Sequence, residues 1–170
     1  GQSTFLAMKR SPFPVVAATS GMALGGGCET VLYANAIQAH VESYLGLVEA
    51  GVGLIPGWGG CTAMLERYAS NKKLPNGPMP IVTAAFETIS TAKVSSSSFD
   101  AKDTGFLRPD DGITFNRDRL LADAKTRALA LSENYEAPEI AEITLPGPTG
   151  QAILASAVRD FKARGLATEY

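Results

Sequence analysis

Histidine, cysteine and net charge are all scarce in this chain, and each scarcity removes a class of function. One histidine, His40, and two cysteines, Cys28 and Cys61, cannot supply zinc ligands at the usual spacing, so no metal is expected. Two cysteines do not make a disulfide framework. Both lie in glycine-rich turns and read as reduced thiols filling tight space in a cytoplasmic protein. A formal net charge of −2 and a pI near 5.4 carry no electrostatic footprint for nucleic acid or an anionic membrane surface. No apolar run is long enough to span a bilayer, and the opening residues show no signal-peptide pattern.

What is present is ordinary globular material. The 170 residues, 45% apolar and 19% charged, suffice for one domain with a real core. Thr4–Lys9 reads as a helix tail stopped by Pro12 and Pro14. Phe13–Ala18 reads as a strand, and a glycine turn beginning at Gly21 leads into a helix over Gly27–Asn35. Ile37–Val41 alternates as a short strand, Tyr44–Leu47 is extended, and Gly59–Ala69 is helical. Asn71–Pro80 is an exposed loop, Ile81–Ala92 a helix, and Ser95–Ser98 a capping break before a short helix over Phe99–Thr104. Asn116 or Asp118 caps a helix over Arg119–Ser132. Leu145–Pro148 is a rigid linker, and Thr149 caps a last helix with Ile153, Leu154, Val158 and Phe161 on one side. Strand–helix units followed by helices give an α/β core, over about residues 1–92, and a helical region over 93–170. There is no internal repeat.

The chemistry is concentrated in two glycine turns. Gly21-Met22-Ala23-Leu24-Gly25-Gly26-Gly27-Cys28-Glu29 joins an apolar strand to a helix start. Glycines admit a bulky ligand to the backbone, and the free N–H groups of a first helical turn favour developing negative charge. Glu29 stands in that first turn, where a carboxylate also gains from the helix dipole with no further role. Twenty residues on, Glu49 sits in the otherwise apolar Leu47-Val48-Glu49-Ala50-Gly51-Val52, just before Gly53-Leu54-Ile55-Pro56-Gly57-Trp58-Gly59-Gly60. A carboxylate in such a stretch is either a turn residue facing water or a group placed for proton transfer. Two acids beside an anion pocket point to acid–base chemistry next to a carbonyl. A phosphate loop would need Lys-Ser/Thr after the glycines, where Cys28-Glu29 stands, and the spacing of a dinucleotide fingerprint is absent. A hydrolase built on Ser20 and His40 lacks an evident orienting acid. Trp58 reads as a packing residue, with a pocket-wall role open.

These same residues resemble the signature half of the crotonase superfamily, the enoyl-CoA hydratases and isomerases. The strand, Gly21–Glu29, then Gly46-Leu47-Val48-Glu49 and Gly53–Gly60, follow its pattern. Gly46–Glu49, Ala84–Ile89 and Asn116–Ala124 further resemble the hydratase region of bacterial proteins fused to an NAD-dependent 3-hydroxyacyl-CoA dehydrogenase. The resemblance implies a crotonase-like ββα spiral core with a helical C-terminal region. It implies Glu29 and Glu49 as catalytic acids, Gly26 as an oxyanion-hole N–H, and Leu24, Gly25, Pro56, Gly57 and Trp58 as substrate-binding residues. The substrate would be an acyl-CoA thioester, with no cofactor in this segment and NAD expected only for a dehydrogenase part.

Family members carry further strands and helices before the point where this chain begins. The expectation is therefore an N-terminally truncated core, part of a longer, multifunctional, homo-oligomeric enzyme of fatty-acid β-oxidation, and inactive by itself. Its partners would be the missing N-terminal portion and the dehydrogenase domain of the same protein. The alternatives are a Δ3,Δ2-enoyl-CoA isomerase, which often keeps only the second acid, and a non-catalytic oligomerisation fragment.

Overall fold

A parallel three-stranded sheet, ordered β1-β2-β3, carries helices around it in the computed structural model, which describes residues 1–139 and 141–168. Helix α1 (Gln2–Lys9) leads into β1 (Val16–Leu24), and α2 (Gly26–Leu32) crosses to β2 (Ala36–Gly46). A 3₁₀ turn (Glu49–Val52) precedes α3 (Gly60–Ala69), α4 (Pro78–Ser90) and α5 (Ser98–Asp103). Then come β3 (Gly112–Thr114), a 3₁₀ turn (Arg117–Arg119), α6 (Leu120–Ser132) and α7 (Gly147–Ala163). Parallel neighbours need a crossover, and α2 is that crossover between β1 and β2.

β2 runs down the middle, paired on both edges and buried over Ala36–His40, as a central parallel strand must be. Ile37, Ala39, Leu45, Leu47, Cys28, Leu32, Met64, Phe106 and Leu107 form the core around it. Ile37 and Ala39 fill the core, while Gln38 on the other face is buried with a partner, its Nε2 donating to Thr114 Oγ1 at 2.8 Å, so burial on both sides fixes the strand's position.

Four details depart from the sequence reading. Gly21 does not begin the turn: β1 continues through Met22, Ala23 and Leu24, and Gly21, at φ +69°, stands where the register shifts, with Thr19 to Gly21 of β1 set against Ala39 to Ser43 of β2. The extra residues bulge from β2, and the glycine opposite bends β1 without ending it. Helix α7 starts at Gly147, because Pro148 fits a first turn that needs no N–H, so Leu145–Pro148 is only half a linker and Thr149 is not the cap. The serine run has three jobs: Ser97 caps α5 by accepting from Asp100 N, while Ser95 Oγ accepts from Leu45 N and Ser98 Oγ donates to the His40 carbonyl. Finally, Gly112–Thr114 joins the sheet, a strand too short to show a period in sequence.

Candidate active site

The β1–α2 junction builds the first wall of the site. Gly25 has φ +54° and ψ −127°, a backbone that only glycine adopts freely, and it turns the chain directly into α2. Its N–H donates to the Gly46 carbonyl at 2.9 Å, tying the ends of β1 and β2 together. Gly26 and Gly27 follow at the helix start, both exposed, with open space where a Cβ would stand. As first-turn residues, their N–H groups have no intrahelical acceptor. The backbone is thus laid bare to a ligand.

Glu29, one turn into α2, is only 2% exposed. Its Oε1 accepts two backbone N–H bonds, from Trp58 at 2.9 Å and from Gly60 at 2.8 Å. Gly60 opens α3, so this carboxylate caps a neighbouring helix rather than its own. The other oxygen, Oε2, makes no hydrogen bond among the described residues. The group is anchored at one oxygen and available at the second. Gly59, with φ +116°, makes the approach possible: a Cβ there would lie 2.1 Å from the Tyr33 hydroxyl oxygen.

Glu49 opens the 3₁₀ turn that follows β2. Its carboxyl lies over Gly25, with Oε1 3.5 Å from where a Cβ would stand on that glycine. Its Oε2 is buried and has no hydrogen-bond partner among the described residues. A buried carboxyl oxygen left unpaired costs free energy, on the order of 1–3 kcal/mol. Such an uncompensated group is expected where a substrate supplies the partner.

The two thiols report that both carboxylates share one neighbourhood. Burial pushes the Cys28 thiol up to about 12, and both Glu49 and Glu29 raise it further against the opposing Gly46 backbone bond and Arg67. Burial also raises the Cys61 thiol, followed by Glu29 and then Glu49. A thiolate is disfavoured at both positions, so neither cysteine is placed as a nucleophile.

The remaining sequence candidates divide. Leu24 ends β1 beside Gly25, and Pro56 is buried. Gly57 is exposed, and its carbonyl accepts from Gln2 Nε2 at 2.8 Å. The Trp58 ring packs edge-on against Phe5 of α1, at 5.5 Å between centroids, so its contact with Glu29 comes from its backbone N–H. His40 is buried in β2, where its Nδ1 accepts from Glu42 N at 3.2 Å, and no acid orients it toward Ser20. Among the described residues no group of three or more potential ligands could hold a metal ion, and no helix is long and apolar enough to cross a membrane.

The sequence reading missed the apolar wall beside Glu49. A cavity of about 750 Å³ begins at Ala50, Ile55 and Cys61 and runs between α4 and α7, past Phe86, Ile89, Leu154 and Val158. Phe161 closes against Phe86 in a stacked pair 6.0 Å apart. The stripe of Ile153, Leu154, Val158 and Phe161 reads in sequence as one apolar face; Leu154, Val158 and Phe161 turn to α4, whereas Ile153 is exposed, off the cavity wall. The target of the stripe was not legible, because the pairing of α7 with α4 is a long-range event.

Comparison with known proteins supports the reading of these turns. Residues 1–76 match the enoyl-CoA hydratase/isomerase family model. A protein of Bacillus subtilis named "Probable 3-hydroxyacyl-CoA dehydrogenase" is 43% identical over 99% of this chain and 21% of its own length. A Rickettsia felis protein described as a fatty acid oxidation complex trifunctional enzyme is 51% identical over 42% of this chain and 10% of its own. The chain therefore spans about a fifth or less of these relatives. Among solved structures, an enoyl-CoA hydratase from Bacillus anthracis superposes with a TM-score of 0.61 at 28% identity, over 78% of this chain and 45% of that one.

Proposed function

We propose that this chain, which resembles the enoyl-CoA hydratases and isomerases of the crotonase superfamily, carries the two-acid half of an enoyl-CoA hydratase site within a multifunctional fatty-acid oxidation protein. The observation that carries this reading is the pairing of unlike carboxylates at one glycine turn. Glu29 is fixed through Oε1 by two N–H groups, and Glu49 holds a buried oxygen without a partner over Gly25.

In the proposed reaction the thioester carbonyl of a trans-2-enoyl-CoA lies against the Gly26 N–H. That donor stabilises the enolate oxygen as charge builds on it. Glu29 Oε2 takes a proton from water while the water oxygen bonds to the β-carbon. Glu49 gives its proton to the α-carbon as the enolate collapses. The net change is addition of H and OH across the double bond. The two carboxyl groups end with exchanged protonation states, and proton return through solvent resets them. The acyl chain extends into the apolar cavity between α4 and α7, which begins at the residue after Glu49. No cofactor takes part.

The test is crotonyl-CoA hydration, followed as loss of enoyl-thioester absorbance, on this chain and on a version extended upstream. Activity in the longer protein that disappears with Glu29→Gln or with Glu49→Gln sustains the proposal. An active isomerase that survives Glu29→Gln would replace it, since one-proton shuttling needs Glu49 alone.

A further inference from the structure

On the far side of α2 from the glycine turn, the end of α3 and the turn after α5 enclose a second, polar cavity that the proposed reaction does not use. Its volume is about 60 Å³, roughly the room of two liquid waters. Arg67, Lys73, Lys102 and Arg108 line it, against a single lining acid, Asp103. In a chain of net charge −2, four cations gathered on one small cavity run against the overall balance. Lys102 Nζ donates to the Pro109 carbonyl at 2.8 Å, and Arg108 Nη1 to the Asn35 carbonyl at 3.3 Å. Among the described residues, no carboxylate forms an ion pair with Lys73, Lys102 or Arg108.

Arg67 separates this cavity from an ordinary solvated basic face. It is 6% exposed, and its Nη2 donates to the Leu32 carbonyl at 3.1 Å. Its Nε and Nη1 find no acceptor among the described residues. Asp111 stands 3.9 Å from Nη1, outside hydrogen-bond reach. The Asp111 oxygens are already taken, Oδ1 by Ile37 N at 2.8 Å and Oδ2 by Arg108 N at 2.7 Å. Burial, and next the like charge of Arg108, push the Arg67 guanidinium down to about 10. Asp111 and Glu66 act the other way, so the guanidinium is partly balanced in charge but not in hydrogen bonds. A buried guanidinium with two bare nitrogens is costly, and an anionic partner rich in acceptors would relieve it.

We propose that this cavity binds a single phosphate group, with Arg67 at its buried end and Lys73, Lys102 and Arg108 around its mouth. The volume admits one tetrahedral oxyanion and leaves any larger attached body outside. Four cations against one lining acid suit a group of more than one negative charge better than a carboxylate. The phosphate is either free or carried by a nucleotide-bearing ligand such as coenzyme A.

Calorimetric titration of the purified protein with inorganic phosphate, at fixed ionic strength, tests this. Wild type is compared with a Lys73→Gln/Lys102→Gln variant, whose altered side chains lie at the rim. Unchanged thermal unfolding in the absence of phosphate checks that the variant is folded. Saturable binding by wild type, weakened about tenfold or more in the variant, is the expected result. Absence of binding to wild type, or equal binding to both, overturns the proposal. Repeating the titration with coenzyme A present separates the sources: displacement of phosphate assigns the site to the nucleotide-borne group, and independent binding assigns it to free phosphate. Neither readout depends on turnover, so failure here and failure of the hydratase reading are distinguishable.

Discussion

Between Val16 and Ala69 the important side chains are held by backbone hydrogen bonds and close glycine contacts. The facing walls of α4 and α7 are held instead by apolar contact across a cavity. Glu29 is fixed by two N–H groups 2.8 and 2.9 Å away, whereas Leu154 and Val158 only face open space shared with Phe86 and Ile89. Hydrogen bonds fix angle as well as distance, so the first region can aim a proton. Apolar walls fix only volume, so the second can select a chain by size but cannot orient it. Chemistry and size selection are therefore separable by mutation if the contrast is real.

The sharpest way to break the contrast is at the carboxylates. Glu49→Gln and Glu29→Gln, each made in the upstream-extended protein, should lower crotonyl-CoA hydration by roughly 10²–10⁴-fold, as expected for loss of a general acid or base. Glu29→Ala should additionally unfold at lower temperature than Glu29→Gln. It strips the acceptor from two N–H groups at the start of α3, a loss of about 0.5–2 kcal/mol, whereas the amide oxygen of Gln can still accept. Equal melting temperatures for the two variants would mean that Oε1 is not a structural anchor.

Next in size is Gly25→Ala. The alanine must adopt a backbone reserved for glycine and presents its methyl group to Glu49 Oε1. Strain of this kind costs on the order of 1–3 kcal/mol, read as a shift in thermal unfolding. An Ala variant as stable as wild type would remove the case for a strict turn there. A smaller effect is expected at Val158→Phe, which fills the α4–α7 cavity. Hydration of the four-carbon substrate should stay unchanged, while each methylene excluded from the cavity loses about 0.8 kcal/mol, or roughly fourfold in kcat/KM. An identical decline at every chain length would put the acyl group elsewhere.

The same contrast explains what the sequence could and could not say. Glycines at a helix start and an acid within an apolar run are local signatures, legible because special backbone angles demand special residues. The α1 and α3 assignments followed from local pattern in the same way, whereas β2, one strand over Ala36–Gly46, reads in sequence as two pieces, Ile37–Val41 and Tyr44–Leu47. Gly21 misled because a bulge and a turn ask for the same residue. The capping of α3 by Glu29 was hidden, since the acceptor and its donors at Trp58 and Gly60 lie 29 and 31 residues apart. The α7 stripe announced an apolar face without naming α4 as its cover, because amphipathic period carries no address. Short β3 was illegible: three residues have no period, and the preceding Asp110-Asp111 reads as turn, although Asp111 in fact receives the Ile37 N–H from β2.

The smallest effect tests whether the two carboxylates act together at one place. The Cys61 thiol is held up by burial first, then by Glu29 and then by Glu49. Removing the Glu29 charge should lower that thiol toward its ordinary value and raise the thiolate fraction near pH 8. Thiolate is the reactive form, so Glu29→Gln should speed alkylation of native Cys61 a few-fold, whereas Glu49→Gln, which replaces the proton-bearing acid of the proposed reaction, should change the rate much less. Cys28, pushed up to about 12 and fully buried, should label only on unfolding in all three proteins. It therefore serves as an internal control for local opening: a faster Cys61 with a silent Cys28 is electrostatic, whereas both thiols reacting together means the α2–α3 contact has come apart. If Glu29→Gln leaves the Cys61 rate unchanged, the charged carboxylate does not reach this turn, and the hydrogen-bonded half of the molecule loses its claim to be a two-acid site.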